Sequence, residues 1–382
     1  MTKTEPKVGF LKLSRFYFFY FAGLGAIVPY LSLYFQSLQF NALQIGILMG
    51  VMIGTKTLSP NLWGWLADIS HKQVFWIQIT SFFSLIALAG LGILAFFPVL
   101  LGVMFVFSFF WHGALPLFEA YTFRALAAQK TVYGRIRLWG SIGFIVAVLG
   151  VGWGVEHWGI QTLPLILLSV MALAFFATLG LPEQAEKPVD TQKALSFWQI
   201  VKQPWIASLL VVSFLIQLSH GAYYSFYSIY LNDAGYSKTG IAWLWALGVI
   251  AEIGIFYYMT LLLHRWSAVL LLKVALFLTA LRWVLIAEGI DYLSILLFAQ
   301  LLHAASYGLF HAAAIYLIDH HFSGANQARG QAIYASISHG LGGGLGMFIA
   351  GVLWSHYGGE IAFLFSAVVV IMALLMVKEE KG

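Results

Sequence analysis

The chain has 382 residues, of which 61% are hydrophobic and 9% charged, with a formal net charge of +5 and a mean hydropathy of +0.87. Soluble domains carry about 25% charged residues, so a water-soluble protein is excluded; the lack of cysteine likewise excludes disulfides, thiolate metal sites and cysteine catalysis. The basic residues are spread over alternate links and make no dense patch, so nucleic acid is not an expected partner.

Apolar runs predict twelve membrane-spanning helices, at about 9–36, 41–67, 73–97, 99–124, 133–157, 161–181, 204–231, 238–263, 267–287, 291–321, 327–355 and 359–377. The first run is far longer than a signal-peptide core and lacks a small-residue cleavage site, so it is expected to stay as a helix. Polar residues 182–203, which include Pro182 and Pro188, read as a cytoplasmic linker. They separate an N-terminal half, 1–181, from a C-terminal half, 204–382. The expected fold class is therefore an all-α membrane protein of two six-helix halves.

Charge placement gives the topology. With the N-terminus inside, cytoplasmic ends and links carry seventeen Lys and Arg, including Lys3, Lys7, Lys130, Lys187, Lys193 and Lys381; the outer links carry only Lys238. That asymmetry predicts both termini in the cytoplasm. Lys56 and Arg282, the two basic residues left over, fall within spans. His157-Trp158-Gly159 at the end of the fifth span recurs as His356-Tyr357-Gly358 at the end of the eleventh, 199 residues later, as parallel six-helix repeats predict. Gly340/Gly344 and Gly342/Gly346 are small-residue pairs suited to close helix contact.

Charges inside spans are costly, so each is a functional candidate. Lys56 lies near the middle of the second span, too deep to snorkel to the surface; it must face an anionic solute or a structural carboxylate. Glu119 and Arg137 close the fourth span and open the fifth at similar depth, which predicts that they pair. Glu252 and Arg282 share a depth on the eighth and ninth spans, as a proton carrier with its cation or as a fixed ion pair. His303, Tyr307 and His311 lie on one face of the tenth span, suiting a proton relay or neutral hydrogen bonding between helices. Tyr223 and Tyr227, with His220 and Tyr224, could flank an aromatic solute or simply fill the core; Tyr30 and Asn61 are weaker candidates of the same kind. Asp319, His320 and His321 diverge by about 100° per residue, so no metal site is expected. Motifs for a metalloprotease, a phosphate loop or a nucleophile elbow are lacking, so no enzyme is expected.

The link after the second span, Gly64-Trp65-Leu66-Ala67-Asp68-Ile69-Ser70-His71-Lys72, resembles the signature loop of the major facilitator superfamily. It keeps Gly64, Asp68 and Lys72, with Ile69 and His71 where a basic residue and a glycine are usual. Tyr133 to Ser141, Ala222-Tyr223-Tyr224, Leu244 to Glu252, Arg282-Trp283 and Leu302-His303 resemble the bacterial 3-phenylpropionate permease group, in the branch of the lactose permease and nucleoside–proton symporters. The resemblance covers nearly the whole chain. It implies a substrate-binding role for Glu119 and Arg137, with a structural bridge as the other reading, and a proton-coupling network of Glu252, Arg282, His303 and His311. One departure stands out: a glutamate is usual three residues after the histidine, and Ser306 is there instead.

Together these features predict a multi-pass, monomeric permease of the bacterial inner membrane. It would take up a small organic acid, such as an aromatic one like 3-phenylpropionate, by alternating access with the proton gradient as energy source and no cofactor. Its partners would be a small-molecule substrate and the lipid bilayer. A proton symporter of a sugar or nucleoside is the alternative transporter, and a transport-inactive membrane sensor or assembly partner the alternative from another class.

Overall fold

The computed structural model describes residues 8–92, 95–126, 132–183, 197–322 and 324–379. The spans are α1 Phe10–Ser37, α2 Ala42–Ser70, α3 Gln73–Gly92, α4 Phe97–Leu126, α5 Tyr133–Trp158, the shorter α6 Ile160–Phe176, α7 Pro204–Asp233, α8 Lys238–Arg265, α9 Ala268–Glu288, α10 Leu293–His321 and a 50-residue run, Gln327–Met376. That run breaks at Gly358, whose φ of 83° is not helical, into α11 (327–357) and α12 (359–376). All twelve predicted spans are present among the described residues. Residues 184–196 of the predicted linker lie outside the described residues, as do Lys3, Lys7, Lys130 and Lys381 of the charge pattern.

Local chemistry sets the helix ends. The Asn41 side chain accepts a hydrogen bond from the Gln44 backbone N–H (2.9 Å), and the Gln44 side chain accepts from the Asn41 N–H (3.1 Å), a reciprocal cap that starts α2. The Ser237 and Ser267 hydroxyls cap α8 and α9 one way only, accepting from Gly240 N (3.0 Å) and Leu270 N (3.2 Å). Helix α2 ends at His71 in the left-handed conformation, φ 54°. Glycine takes that conformation without steric cost, which accounts for the glycine usual at this place in the signature loop.

Packing groups the chain into two units, Met1–Gln39 with Leu58–Lys187, and Phe40–Thr57 with Pro188–Gly382. Helix α2 changes character where they divide: a regular helix to Gly54, a tight 3₁₀ turn Thr55–Thr57, then helix again from Ser59. In the first unit α1 packs on α5 and α6, α3 on α4 and α6, and the second part of α2 on α4. Lipid tails are as apolar as these side chains, so close packing rather than water exclusion holds the helices together. Phe16 stacks on Phe118 at 3.9 Å and Tyr20 on Trp111 at 5.2 Å, joining α1 to α4.

In the second unit the run Gln327–Met376 packs on the first part of α2, on α7 and on α9, while α8 packs on α10. The paired glycines of α11 serve this contact. A Cβ on Gly344 would lie 3.0 Å from Gly50 O, and one on Gly346 would collide with Leu218 O of α7. Gly346→Ala is therefore expected to destabilise the protein by about 1–3 kcal/mol, read as a lower unfolding temperature in detergent; an unchanged value would contradict the backbone contact. Two segments of this unit, Ala304–Leu309 in α10 and Ser336–Gly342 in α11, wind as π-helix.

Candidate functional site

In the first unit, Arg137 Nε lies 3.8 Å from Glu119 Oε1, with both side chains about one-third exposed (33% and 35%). The predicted pairing of α4 with α5 is thus formed. The Tyr133 hydroxyl donates to the same carboxylate oxygen at 3.4 Å, and the guanidinium sits over the Phe21 ring of α1 at 3.9 Å. Two aromatic rings, Phe21 and the more distant Tyr17 (5.8 Å), and one carboxylate leave part of the planar guanidinium edge able to meet another acceptor. Tyr30 is placed differently: it is fully buried, and its hydroxyl donates to Val148 O at 2.7 Å, tying α1 to α5. Asn61 is exposed on the second part of α2.

The second unit holds a denser polar cluster. Arg282 of α9 is 0% exposed. It donates to Ala299 O (3.0 Å), to Ser306 Oγ (3.0 Å) and to Gln300 Oε1 (3.3 Å), and it lies over the neighbouring rings of Tyr223 (4.1 Å) and Trp283 (4.7 Å). Taking an ion out of water costs several kcal/mol even after relaxation. Each ring face returns about 0.5–2 kcal/mol and hydrogen bonds from a charged donor about 1.5–3 kcal/mol each, so the charge is solvated. No carboxylate among the described residues lies within 4.0 Å of it.

Gln300 organises this cluster. Its Oε1 accepts from Arg282 and from the Tyr223 hydroxyl (3.0 Å), while its Nε2 donates to the Tyr227 hydroxyl (2.6 Å). Sequence reasoning missed Gln300, although a lone amide inside Leu293-Ser294-Ile295-Leu296-Leu297-Phe298-Ala299-Gln300-Leu301 is a usable signal. Tyr223 and Tyr227, both fully buried, point their hydroxyls at this amide.

Glu252 does not form the fixed ion pair with Arg282 that their shared depth allowed. Its Oε2 lies 3.6 Å from His303 Nε2. Helix packing explains the choice: a Cβ on Gly308 of α10 would lie 3.2 Å from Glu252 Cγ, so glycine there lets α8 approach α10 on the side of His303. His303 Nδ1 is buried with no hydrogen-bond partner among the described residues. From His303 the rings of Tyr307 and His311 stack in turn at 5.9 and 5.8 Å. His311 Nδ1 lies 3.2 Å from the Tyr334 hydroxyl, and its ring meets His339 edge-on at 5.5 Å. The three residues predicted on one face of α10 are indeed in register, and Tyr334 and His339 of α11 extend the row. Those two were not foreseen, because residues on different helices have no sequence spacing to betray them.

Lys56 occupies the 3₁₀ turn Thr55–Thr57, which packs on the π segment Ser336–Gly342; the Ser336 hydroxyl donates to Thr57 O at 3.1 Å. No carboxylate among the described residues lies within 4.0 Å of Lys56. In the signature loop, Asp68 and Lys72 are exposed, and open space faces Gly64.

Residues 10–365 match the model of the MFS_1 like family. The chain belongs to that family. An Escherichia coli K12 protein named "Probable 3-phenylpropionic acid transporter" is 27% identical over 364 residues, 94% of this chain and 95% of that one. The maltose permease of Geobacillus stearothermophilus is also 27% identical, over 96% of this chain and 94% of its own. The crystal structure of the nucleoside transporter NupG superposes with a TM-score of 0.84 at 19% identity, covering 97% of this chain and 99% of that one, which shows the same fold. This MFS-type protein is therefore a multi-pass membrane transporter of small solutes and not an enzyme. Among its described residues no group of three or more His, Asp or Glu could hold a metal ion.

Proposed function

We propose that this transporter carries a small organic acid, of the 3-phenylpropionate class, together with a proton. It works as a monomer in the bacterial inner membrane by alternating access of two six-helix halves joined through 182–203, with both termini cytoplasmic. The observation that carries the reading is Lys56, a cation inside a span with no carboxylate within 4.0 Å among the described residues. A charge held there has value when the cargo brings the opposite one. The relative named for 3-phenylpropionic acid supports the solute class. Glu252 and His303, 3.6 Å apart, supply two adjoining titratable groups for the proton. Glu119 and Arg137 contribute acceptor and donor groups to the solute, while Gly64, Asp68 and Lys72 belong to the conformational change. Tyr30 serves packing.

Sugar or nucleoside symport is the second reading, favoured by the maltose permease relative at the same identity. Ligand-induced stabilisation separates the two. A solute at 100 times its Kd raises stability by about 2.7 kcal/mol, so the unfolding temperature is expected to rise with 3-phenylpropionate and to stay fixed with maltose or uridine. A rise with maltose or uridine alone would replace the first reading by the second.

A further inference from the structure

If the cargo is an organic anion, as proposed above, its carboxylate needs a direct partner. The geometry points to Arg282 as that partner, with Ser306 as the residue that holds its place and so sets the preference for anionic over neutral solutes. Arg282 is fully buried, its three hydrogen bonds all go to neutral acceptors, and no carboxylate among the described residues lies within 4.0 Å. The protein thus spends acceptors, aromatic faces and an amide on keeping one guanidinium fixed and charged, with no carboxylate in direct contact. A planar fork fixed at two of its edges is pre-organised for a carboxylate, which a lysine is not. Lys56 sits on a different segment and supplies attraction without that fork.

Ser306 is the group that can yield. Its hydroxyl accepts from Arg282 Nη1 at 3.0 Å while donating to His303 O at 3.3 Å, so releasing Nη1 leaves its own proton bonded. It lies in the π-helical stretch Ala304–Leu309, and return of such a stretch to regular winding turns a side chain by about 100° around the axis. Ala299 O and Gln300 hold the other two nitrogens meanwhile. Tyr223, Trp283 and Trp245, the last with its ring 4.5 Å from that of Tyr223, offer aromatic faces to the rest of the solute. The carboxylate then neutralises Arg282, and the Glu252–His303 pair beside it is left to carry the proton.

A carboxylate installed at 306 should occupy the anchor itself. Binding of 3-phenylpropionate and of its neutral amide, 3-phenylpropionamide, to the purified full chain would be measured by titration calorimetry. Ser306→Asp and Ser306→Glu are expected to weaken acid binding at least about 100-fold and to leave the amide's affinity within about threefold. Ser306→Asn and Ser306→Gln, of matching bulk but neutral, are expected to leave acid and amide alike within about threefold. Undiminished acid binding by a folded Asp or Glu variant overturns the anchor and leaves the organic-acid reading standing. If neither acidic variant folds, Arg282→Gln gives the same comparison: loss of the preference for acid over amide supports the anchor, and its persistence overturns it. Failure of the unaltered protein to bind any aromatic or aliphatic acid would defeat the organic-acid reading and the anchor together.

Discussion

Replacing Glu252 by glutamine is expected to abolish concentrative uptake while leaving exchange of solute across the membrane intact. Glutamine keeps the size and the hydrogen-bonding reach of the side chain but cannot take up or release a proton. His303 Nε2, 3.6 Å from the Glu252 carboxylate, would keep a neighbour of the same size but lose its titratable partner. With one proton per solute, each pH unit across the membrane is worth about 1.4 kcal/mol, or tenfold accumulation; the variant should reach a ratio of about one. Exchange needs only the solute-loaded carrier to reorient, so labelled solute should still equilibrate against unlabelled. Accumulation by the variant equal to that of the unaltered protein would remove Glu252 from the coupling step.

Lys56→Ala is expected to weaken binding of organic anions by about tenfold or more and to spare neutral solutes. A cation in a setting of intermediate polarity attracts a carboxylate several ångströms away by a few kcal/mol before solvation is counted, so a net loss of about 1.4 kcal/mol is a conservative expectation. Equal loss for anionic and neutral solutes would make Lys56 a structural charge at the contact between the Thr55–Thr57 turn and Ser336–Gly342. Paired with the Ser306 variants, this substitution separates general attraction from direct contact: Lys56 acts through its field, and Arg282 acts through its fork.

Much of the fold was legible in the residues. Apolar runs place every span, because a bilayer demands about 20 apolar residues for each crossing whatever the tertiary structure. The glycine spacing of α11 correctly signals backbone contact, which Gly344 makes with Gly50 and Gly346 with Leu218. What the residues do not display is how helices share partners. Equal depth made Glu252 and Arg282 look like an ion pair, but depth fixes only one coordinate; the approach of α8 to α10 at Gly308 turns the carboxylate to His303 instead. Nor does the sequence announce the π segments, which arise where the backbone adjusts to neighbours and which carry Ser306 and His339. Tyr30 is a case where the two readings diverge. An aromatic hydroxyl in a span reads as a pocket group, and here it is spent on Val148 O.

The central claim, proton-driven transport of an organic acid, is tested most directly in proteoliposomes holding the purified chain. Radiolabelled 3-phenylpropionate, a sugar and a nucleoside would each be offered with and without an imposed proton gradient, with protein-free liposomes as the control for passive entry of a weak acid. Gradient-dependent accumulation of the acid alone, above that control, is the predicted result. Accumulation of the sugar or the nucleoside, with the acid at the level of empty liposomes, would contradict it.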